Sequence, residues 1–381
     1  MILFCISLVL LLAYSILMAY YYWSWNQIAE FNTDDLQDWQ PVEKVSVIIP
    51  ARNEEGHIGQ CLDSILKQTY PSHLLEIIVI DDHSSDRSAA IVETYANRGV
   101  RLLSLSKKIA GEPGLVAYKK KAIELGIDQS TGELIITTDA DCTVPPGWIS
   151  TLAAYHASSR SIFIVAPVKI NSYQSLLSFF QTLDFAVLQG ITAASVSRNF
   201  HDMCNGANLA YEKKAFQEVD GFGGIDHIAS GDDMLLMHKM RKRFSRGIGY
   251  LKSANAIVET EPAIGWKAFL HQRIRWASKA RVYKDRKTIP VLALVYLLNL
   301  SLFLLLAGSL LYPHWLLYFG ILVFYKILAE WWFTESVLRY FQLRKLLIWF
   351  PVFQPLHIIY TVIAGLLGLK GNYQWKGRGV R

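Results

Sequence analysis

Val45-Ser46-Val47-Ile48-Ile49-Pro50 is a short, largely β-branched apolar run that gives way to Arg52-Asn53-Glu54-Glu55, after which a helical pattern continues through Lys67. A run of this length with polar boundaries reads as a buried strand. The same pattern recurs downstream. Leu75 to Ile80 ends in Asp81-Asp82, Val100 to Leu105 leads to a helical stretch around Val116 to Leu125, and Leu134 to Thr138 ends in Asp139-Ala140-Asp141. Strands alternating with helices predict right-handed βαβ units, hence an α/β fold with a mostly parallel sheet. Such sheets bind ligands beyond the carboxyl ends of their strands. The two acidic clusters sit at two such ends and are expected to face one crevice. No GxGxxG opens the first helix and no GxxxxGK(S/T) occurs, so the glycine-amide phosphate cradles are excluded. A carboxylate pair at D-x-D spacing supplies hard oxygen ligands for Mg²⁺ or Mn²⁺, a cation able to bridge a diphosphate. Asp139 and Asp141 are therefore the metal candidates, although an isolated D-x-D is also common in surface turns.

Around this core the composition changes. Residues 1–29 carry no charge, and Ile2 to Trp23 is long enough to cross about 30 Å of hydrocarbon as a helix. It lacks the positive start and small-residue cleavage site of a signal peptide, so it reads as a membrane anchor. Residues 43–287 read as a water-facing domain. Residues 288–370 form a membrane region with two clear spans, Ile289 to Tyr312 and Trp315 to Phe333, and a third segment, Leu346 to Leu369, broken by Pro351, Gln354, Pro355 and His357. That segment is either a third span or a re-entrant element. Residues 371–381 are a basic tail. Arg281, Lys284, Arg286 and Lys287 before the first of these spans, with Arg339, Arg344 and Lys345 after the second, place both flanks and the domain in the cytoplasm. A third span would carry Lys370, Lys376, Arg378 and Arg381 outside, against that rule. Lys326 and Glu330, four apart on one helix face, are expected to pair.

Hydrophobic residues make up 52% of the 381 and charged residues 18%, below the roughly 25% of a soluble domain. Disorder and a wholly water-soluble chain are both excluded. A net charge of +6 fits basic membrane flanks, and Lys239 to Arg246 reads as a solvated face near anionic headgroups; no nucleic-acid-binding motif accompanies it. Cys5, Cys61, Cys142 and Cys204 lie far apart without CxxC spacing, which predicts free thiols.

Taken in order, PARNEE at the first strand, DDHSSD at the second, TDADC at the fourth, Gly231-Asp232-Asp233 and Gln272-Arg273-Ile274-Arg275-Trp276 resemble glycosyltransferase family 2 of GT-A fold, membrane-embedded type, over roughly Val45 to Tyr283. The resemblance implies a nucleotide site at Pro50, Arg52, Glu54, Asp81, Asp82 and Asp139. It puts Lys119 near the diphosphate, a place Lys120 or Lys121 could also fill. Asp233 would be the catalytic base, beside Asp232 where the family has glutamate. Arg275 would contact diphosphate, and Gln272 and Trp276 would line the acceptor site. Cys204-Asn205-Gly206-Ala207-Asn208 is similar to the family's loop beneath the acceptor, bringing in Asn205, Gly206 and Asn208. Gln272, Arg275 and Trp276 fall at i, i+3 and i+4, one face of a helix from Trp266 onward. Tyr173 to Ser197 reads as a long helix, either on the bilayer surface or buried in the domain.

The implied activity is an inverting, Mg²⁺- or Mn²⁺-dependent transfer from a nucleotide sugar, a UDP-sugar first, to a lipid or glycan acceptor at a membrane. A processive polysaccharide synthase, and a silent nucleotide-sugar-binding subunit of a larger synthase with partner proteins, are the competing readings. A transporter would need an internal repeat that is absent.

Overall fold

The computed structural model of the chain describes residues 1–33, 36, 39–108, 117–171, 175–279, 287–369, 373–375 and 378–380. Val116, Tyr173, Arg281, Lys284, Arg286, Lys370, Lys376 and Arg381 lie outside the described residues. A long apolar helix, α1 (Ile2–Asn26), precedes the domain. The parallel strands β1 (Val45–Ala51), β2 (Leu75–Asp81), β3 (Val100–Ser104) and β4 (Leu134–Thr137) follow, connected through α2 (Ile58–Ile65), α3 (Ser88–Glu93), α4 (Leu105–Lys108) and α5 (Tyr118–Asp128). These are the four strands expected, within a residue at each end.

Six further short strands complete the domain: β5 (Cys142–Thr143), β6 (Phe163–Val165), β7 (Val168–Ile170), β8 (Leu209–Glu212), β9 (Ile248–Tyr250) and β10 (Val258–Thr260). The main sheet runs β3-β2-β1-β4-β8-β6-β9, in which β8 is antiparallel to both neighbours, while β5, β10 and β7 form a second, three-stranded sheet. Helices α6 (Trp148–Ser159), α7 (Leu176–Ser197), α8 (Lys213–Glu218), α9 (Met234–Arg243) and α10 (Gly265–Ser278) lie between and after them.

Because strand side chains alternate between faces, β1 feeds two cores. Val45, Val47 and Ile49 join one with α2 and α6, while Ile48 joins another that contains α5, α7 and the membrane helices. The domain and the apolar helices thus share one continuous core. α7 is largely buried between domain and helix bundle, which corrects the bilayer-surface alternative for that segment. The bundle consists of α1, α11 (Thr288–Gly308), α12 (Trp315–Tyr340) and α13 (Phe350–Gly368), the last preceded by a 3₁₀ segment at Arg344–Trp349. A short hairpin, β11 (Tyr373–Trp375) with β12 (Arg378–Val380), follows. Among the described residues, five helical segments, counting α7, are long and apolar enough to cross a membrane.

α13 is one continuous helix despite Pro355, and its neighbours show how it lies. Phe350 packs on Trp331 with ring centroids 6.3 Å apart, and Gln354 donates to Glu330 at 2.7 Å. Farther along, Gly365 abuts Tyr296, and a side chain at Gly368 would come within 2.9 Å of the Ala277 Cβ.

Lys326 and Glu330 do pair, at 2.6 Å, and Gln354 and Tyr14 close the network. All four side chains are buried, and Lys326 and Glu330 are the charged pair among them. Removing one member of a buried pair costs about 3–5 kcal/mol. Glu330→Ala should therefore lower thermal stability in detergent sharply, and the double change Lys326→Met with Glu330→Met should recover most of it. Equal loss in both would mean that the network, rather than the orphaned charge, matters.

Candidate active site

The carboxyl edges of β1, β2 and β4 present the expected acidic residues side by side. Ala51 pairs with Asp81 in register, and the Asp82 amide donates to the Ala51 carbonyl at 2.8 Å. Arg52 Nη1 donates to the carbonyls of Asp82 and His83 at 2.8 and 3.1 Å, binding the two strand ends together. Asp81 Oδ1 accepts the Ser84 amide, and Asp82 Oδ1 lies 2.9 Å from His83 Nδ1. The Glu54 amide donates to Ser88 Oγ at 2.6 Å. Pro50, the next-to-last residue of β1, pairs with Ile80. The expected nucleotide set therefore forms one rim, with Arg52 and Asp82 both engaged in shaping it.

Next to this rim, four segments bring charges together. Lys119 Nζ, from α5, lies 2.7 Å from Asp139 Oδ1 and 3.0 Å from Asp232 Oδ2. Lys120 instead donates to the carbonyls of Ile225 and Ile228, and Lys121 pairs with Glu124 on its own helix. Of the three lysines, Lys119 alone reaches the acidic cluster. Asp233 caps α9, its Oδ1 accepting the Met234 amide at 2.7 Å, and Lys279 Nζ approaches the same oxygen at 3.3 Å. At Gly206 a Cβ would stand 3.2 Å from Asp232 Oδ2, 3.5 Å from Lys119 Nζ and 3.6 Å from the Asp233 Cβ. Glycine there leaves the centre of the cluster open.

Burial disfavours the Lys119 ammonium, but Asp139 and Asp232 beside it outweigh this and raise its pKa above the ordinary lysine value. Burial likewise opposes the Asp232 carboxylate, yet Lys119 and then Lys279 hold it down at about 2. A depressed carboxyl pKa adds stability that is complete above the unfolded value near 4 and disappears as pH falls through the folded value. The shift corresponds to about 2 kcal/mol. Acid titration of melting temperature should show a loss between about pH 4 and 2 that Asp232→Asn removes. An unchanged acid profile in that variant would contradict the pairing.

Asp141 accepts the Cys142 thiol at 3.5 Å and lines a cavity of about 130 Å³ with His57, Asn171, Glu259 and Glu261. Among the described residues no group of three or more protein ligands surrounds a metal position. Mg²⁺ commonly takes only one or two carboxylates and completes its shell with water and substrate phosphate, so Asp139 and Asp141 suit a cation that arrives with a diphosphate.

Asn205 Oδ1 accepts the Ala207 amide, which fixes the turn that presents Gly206. Asn208 corrects the sequence reading. It is fully enclosed, accepts the Trp148 indole N–H, and donates to the carbonyls of Pro167 and Ala256. Its amide is spent bracing the loop and does not face an acceptor.

On α10, Gln272 and Arg275 are half-buried, and among the described residues neither side chain has a hydrogen-bond or ion-pair partner. Unsatisfied, partly buried donors of this kind are available to a ligand. Trp276 packs on Phe185, ring centroids 6.1 Å apart. Lys279 was missed in the sequence, although it falls two helical turns after Gln272 and one after Arg275.

Comparison with known proteins follows the same lines. The probable glycosyltransferase YdaM of Bacillus subtilis is 27% identical over 249 residues, 63% of this chain and 56% of that protein. The undecaprenyl-phosphate 4-deoxy-4-formamido-L-arabinose transferase of Yersinia pestis is 32% identical over 146 residues, 36% of this chain and 40% of that protein. The chain spans about half or less of the length of these curated relatives. A mannosyltransferase from Pyrobaculum calidifontis, PcManGT, solved with GDP-Man and Mn²⁺, superposes with TM-score 0.54 over 96% of this chain and 99% of that one at 19% identity, a likeness of fold. Residues 46–219 match the model of glycosyl transferase family 2. Residues 134–367, well over half of the chain, match the model of glycosyl transferase family group 2, and the protein belongs to that family.

Proposed function

We propose that the protein transfers a sugar, with inversion, from a nucleotide diphosphate sugar to a lipid acceptor at a membrane surface. The carrying observation is the Lys119–Asp139–Asp232 chain of ion pairs lying against Asp233 and α10. The relative that acts on an undecaprenyl phosphate supports a lipid acceptor. A UDP-sugar is the first donor to test and GDP-mannose the second, since PcManGT was solved with GDP-Man.

In this reading the rim at Pro50, Arg52, Glu54, Asp81 and Asp82 receives the nucleoside, while Lys119 and Arg275 hold the diphosphate. Asp139 and Asp141 would hold a divalent cation, which would supply positive charge to the diphosphate. The acceptor hydroxyl approaches between Asp233 and Trp276. Its oxygen bonds to the anomeric carbon as the bond to the diphosphate oxygen breaks, and its proton passes to Asp233; a lipid phosphate, already ionised, would attack through its anionic oxygen without that proton transfer. Oδ2 is the oxygen free for this, since Oδ1 already takes the Met234 amide and Lys279.

The proposed topology has three spans, α1, α11 and α12, with basic Lys287, Arg339, Arg344 and Lys345 on the cytoplasmic side. α13 lies across them. Tyr296, beneath Gly365, is eight residues into α11, and Trp331, beneath Phe350, is nine residues from the end of α12. At 1.5 Å per residue both contacts sit about 12–14 Å below the cytoplasmic helix ends. This supports a re-entrant α13 and a cytoplasmic basic tail. A C-terminal cysteine tag should resist impermeant reagent in intact cells, and labelling from outside would make α13 a span.

Nucleotide release by the purified full chain, measured over a panel of UDP- and GDP-sugars with and without Mn²⁺, tests the function. Metal-dependent release from one donor, increased by membrane lipid, is expected. Absence of both release and nucleotide binding would defeat the reading, while binding without release would favour the silent-subunit alternative.

A further inference from the structure

We propose that Asp184, on α7, and Arg273, on α10, are positioning residues that set the Trp276 indole at the acceptor position and fix it to α13; this rests on the function proposed above. Arg273 occupies a variable position of the QxxRW sequence, yet it is the helix's most enclosed charge, 4% exposed. Its Nη2 lies 2.8 Å from Asp184 Oδ2. The other carboxylate oxygen accepts the Tyr360 hydroxyl at 2.8 Å and stands 3.2 Å from His357 Nδ1, both on α13. One aspartate therefore clamps the helix that carries QxxRW to the re-entrant helix beneath it.

The guanidinium is placed by ring faces as well as charge. Its central carbon is 4.4 Å from the Trp276 ring centroid, 5.0 Å from that of Phe269 and 5.8 Å from that of Tyr360. None of its N–H groups meets an acceptor in hydrogen-bonding geometry. Arg273 thus acts as a flat cationic plate whose place is set by stacking, a part that lysine, a point charge on a flexible stem, cannot take. Phe185, adjacent to Asp184 in sequence, also contacts Trp276. The indole is held from α7 and from its own helix while remaining half-exposed.

Stability alone does not call for this arrangement, because buried ion pairs can often be exchanged for apolar packing without loss. Holding one aromatic side chain at a fixed depth, one helical turn before the Lys279 that meets Asp233, does call for it, since an acceptor displaced by about 1 Å reacts up to about 100-fold more slowly. Donor chemistry is placed elsewhere, on α5 and the edges of β1, β2 and β4. The two functions should separate on mutation.

The experiment compares wild type, Arg273→Lys, Asp184→Asn and Tyr360→Phe as purified full-length protein. Three quantities are read: affinity for the nucleoside diphosphate, donor hydrolysis by water without lipid, and lipid-stimulated transfer with vesicles containing undecaprenyl phosphate. Arg273→Lys should keep affinity and hydrolysis and lose about 10- to 100-fold in transfer, in kcat rather than in KM for lipid. Asp184→Asn should act in the same direction, and Tyr360→Phe, which leaves the ion pair intact, more weakly; the Arg273 and Tyr360 variants decide the matter if Asp184→Asn fails to fold. Proportional loss of hydrolysis and transfer, or full transfer in Arg273→Lys, overturns the assignment. Wild-type protein that neither binds nor hydrolyses any nucleotide sugar defeats the proposed function first, and this inference with it.

Discussion

Asp233→Asn is expected to lower sugar transfer by about 10²–10⁴-fold, the usual contribution of a positioned general base, while nucleoside diphosphate affinity stays unchanged. The substitution is mild structurally. Asparagine caps helices as well as aspartate does, so the Met234 amide keeps its acceptor and α9 keeps its start. What is lost is the second carboxylate oxygen that would receive the acceptor proton. The measurement is steady-state transfer beside equilibrium binding of UDP or GDP. Full turnover in the variant would show that no proton has to reach Asp233, as for an acceptor that is already an anion.

Lys119→Gln should be nearly as damaging, and by a different route. Lys119 is the ion-pair partner of both Asp139 and Asp232, so its loss leaves two poorly exposed carboxylates facing an incoming anion. A charge-assisted hydrogen bond is worth about 1.5–3 kcal/mol, or about 10- to 150-fold in diphosphate affinity, and kcat should fall as well. Affinity for the nucleoside monophosphate should change little, which separates contact with the second phosphate from general damage. Lys121→Gln, two residues on and on another side of α5, paired with Glu124, is the control and should behave as wild type. Equal weakening of mono- and diphosphate binding would move Lys119 out of the diphosphate site.

The readable half of the fold was the half whose residues declare themselves locally. β1 to β4 are short, mostly apolar runs, and α10 starts within a residue of Trp266, where its motif spacing places it. β6, β8 and β9, by contrast, have three or four residues each. Leu209-Ala-Tyr-Glu212 becomes a strand because β4 and β6 offer it free edges, a tertiary cause that no local pattern announces. The site divides in the same way. Lys119 was favoured over its two neighbours by motif position alone, and only the direction of each side chain on α5 separates them. Lys279 was invisible because its partner, Asp233, lies on another element and is reached only when α10 folds back over the sheet. Asn208 was misplaced for the opposite reason. An asparagine in a loop looks ligand-facing in sequence, and its burial beside Trp148 comes from packing.

The ion-pair network in the helix bundle also bears on how the chain is made. Tyr14 meets Glu330 across 316 residues, so the first helix to leave the ribosome has its polar partner supplied near the end of translation. At about 5–20 residues per second, that is a wait of about 15–60 s. With α1 in a bilayer as proposed, the Tyr14 hydroxyl is without Glu330 for that interval while the domain between them folds, so anything that shelters α1 during synthesis is expected to raise the yield of folded protein.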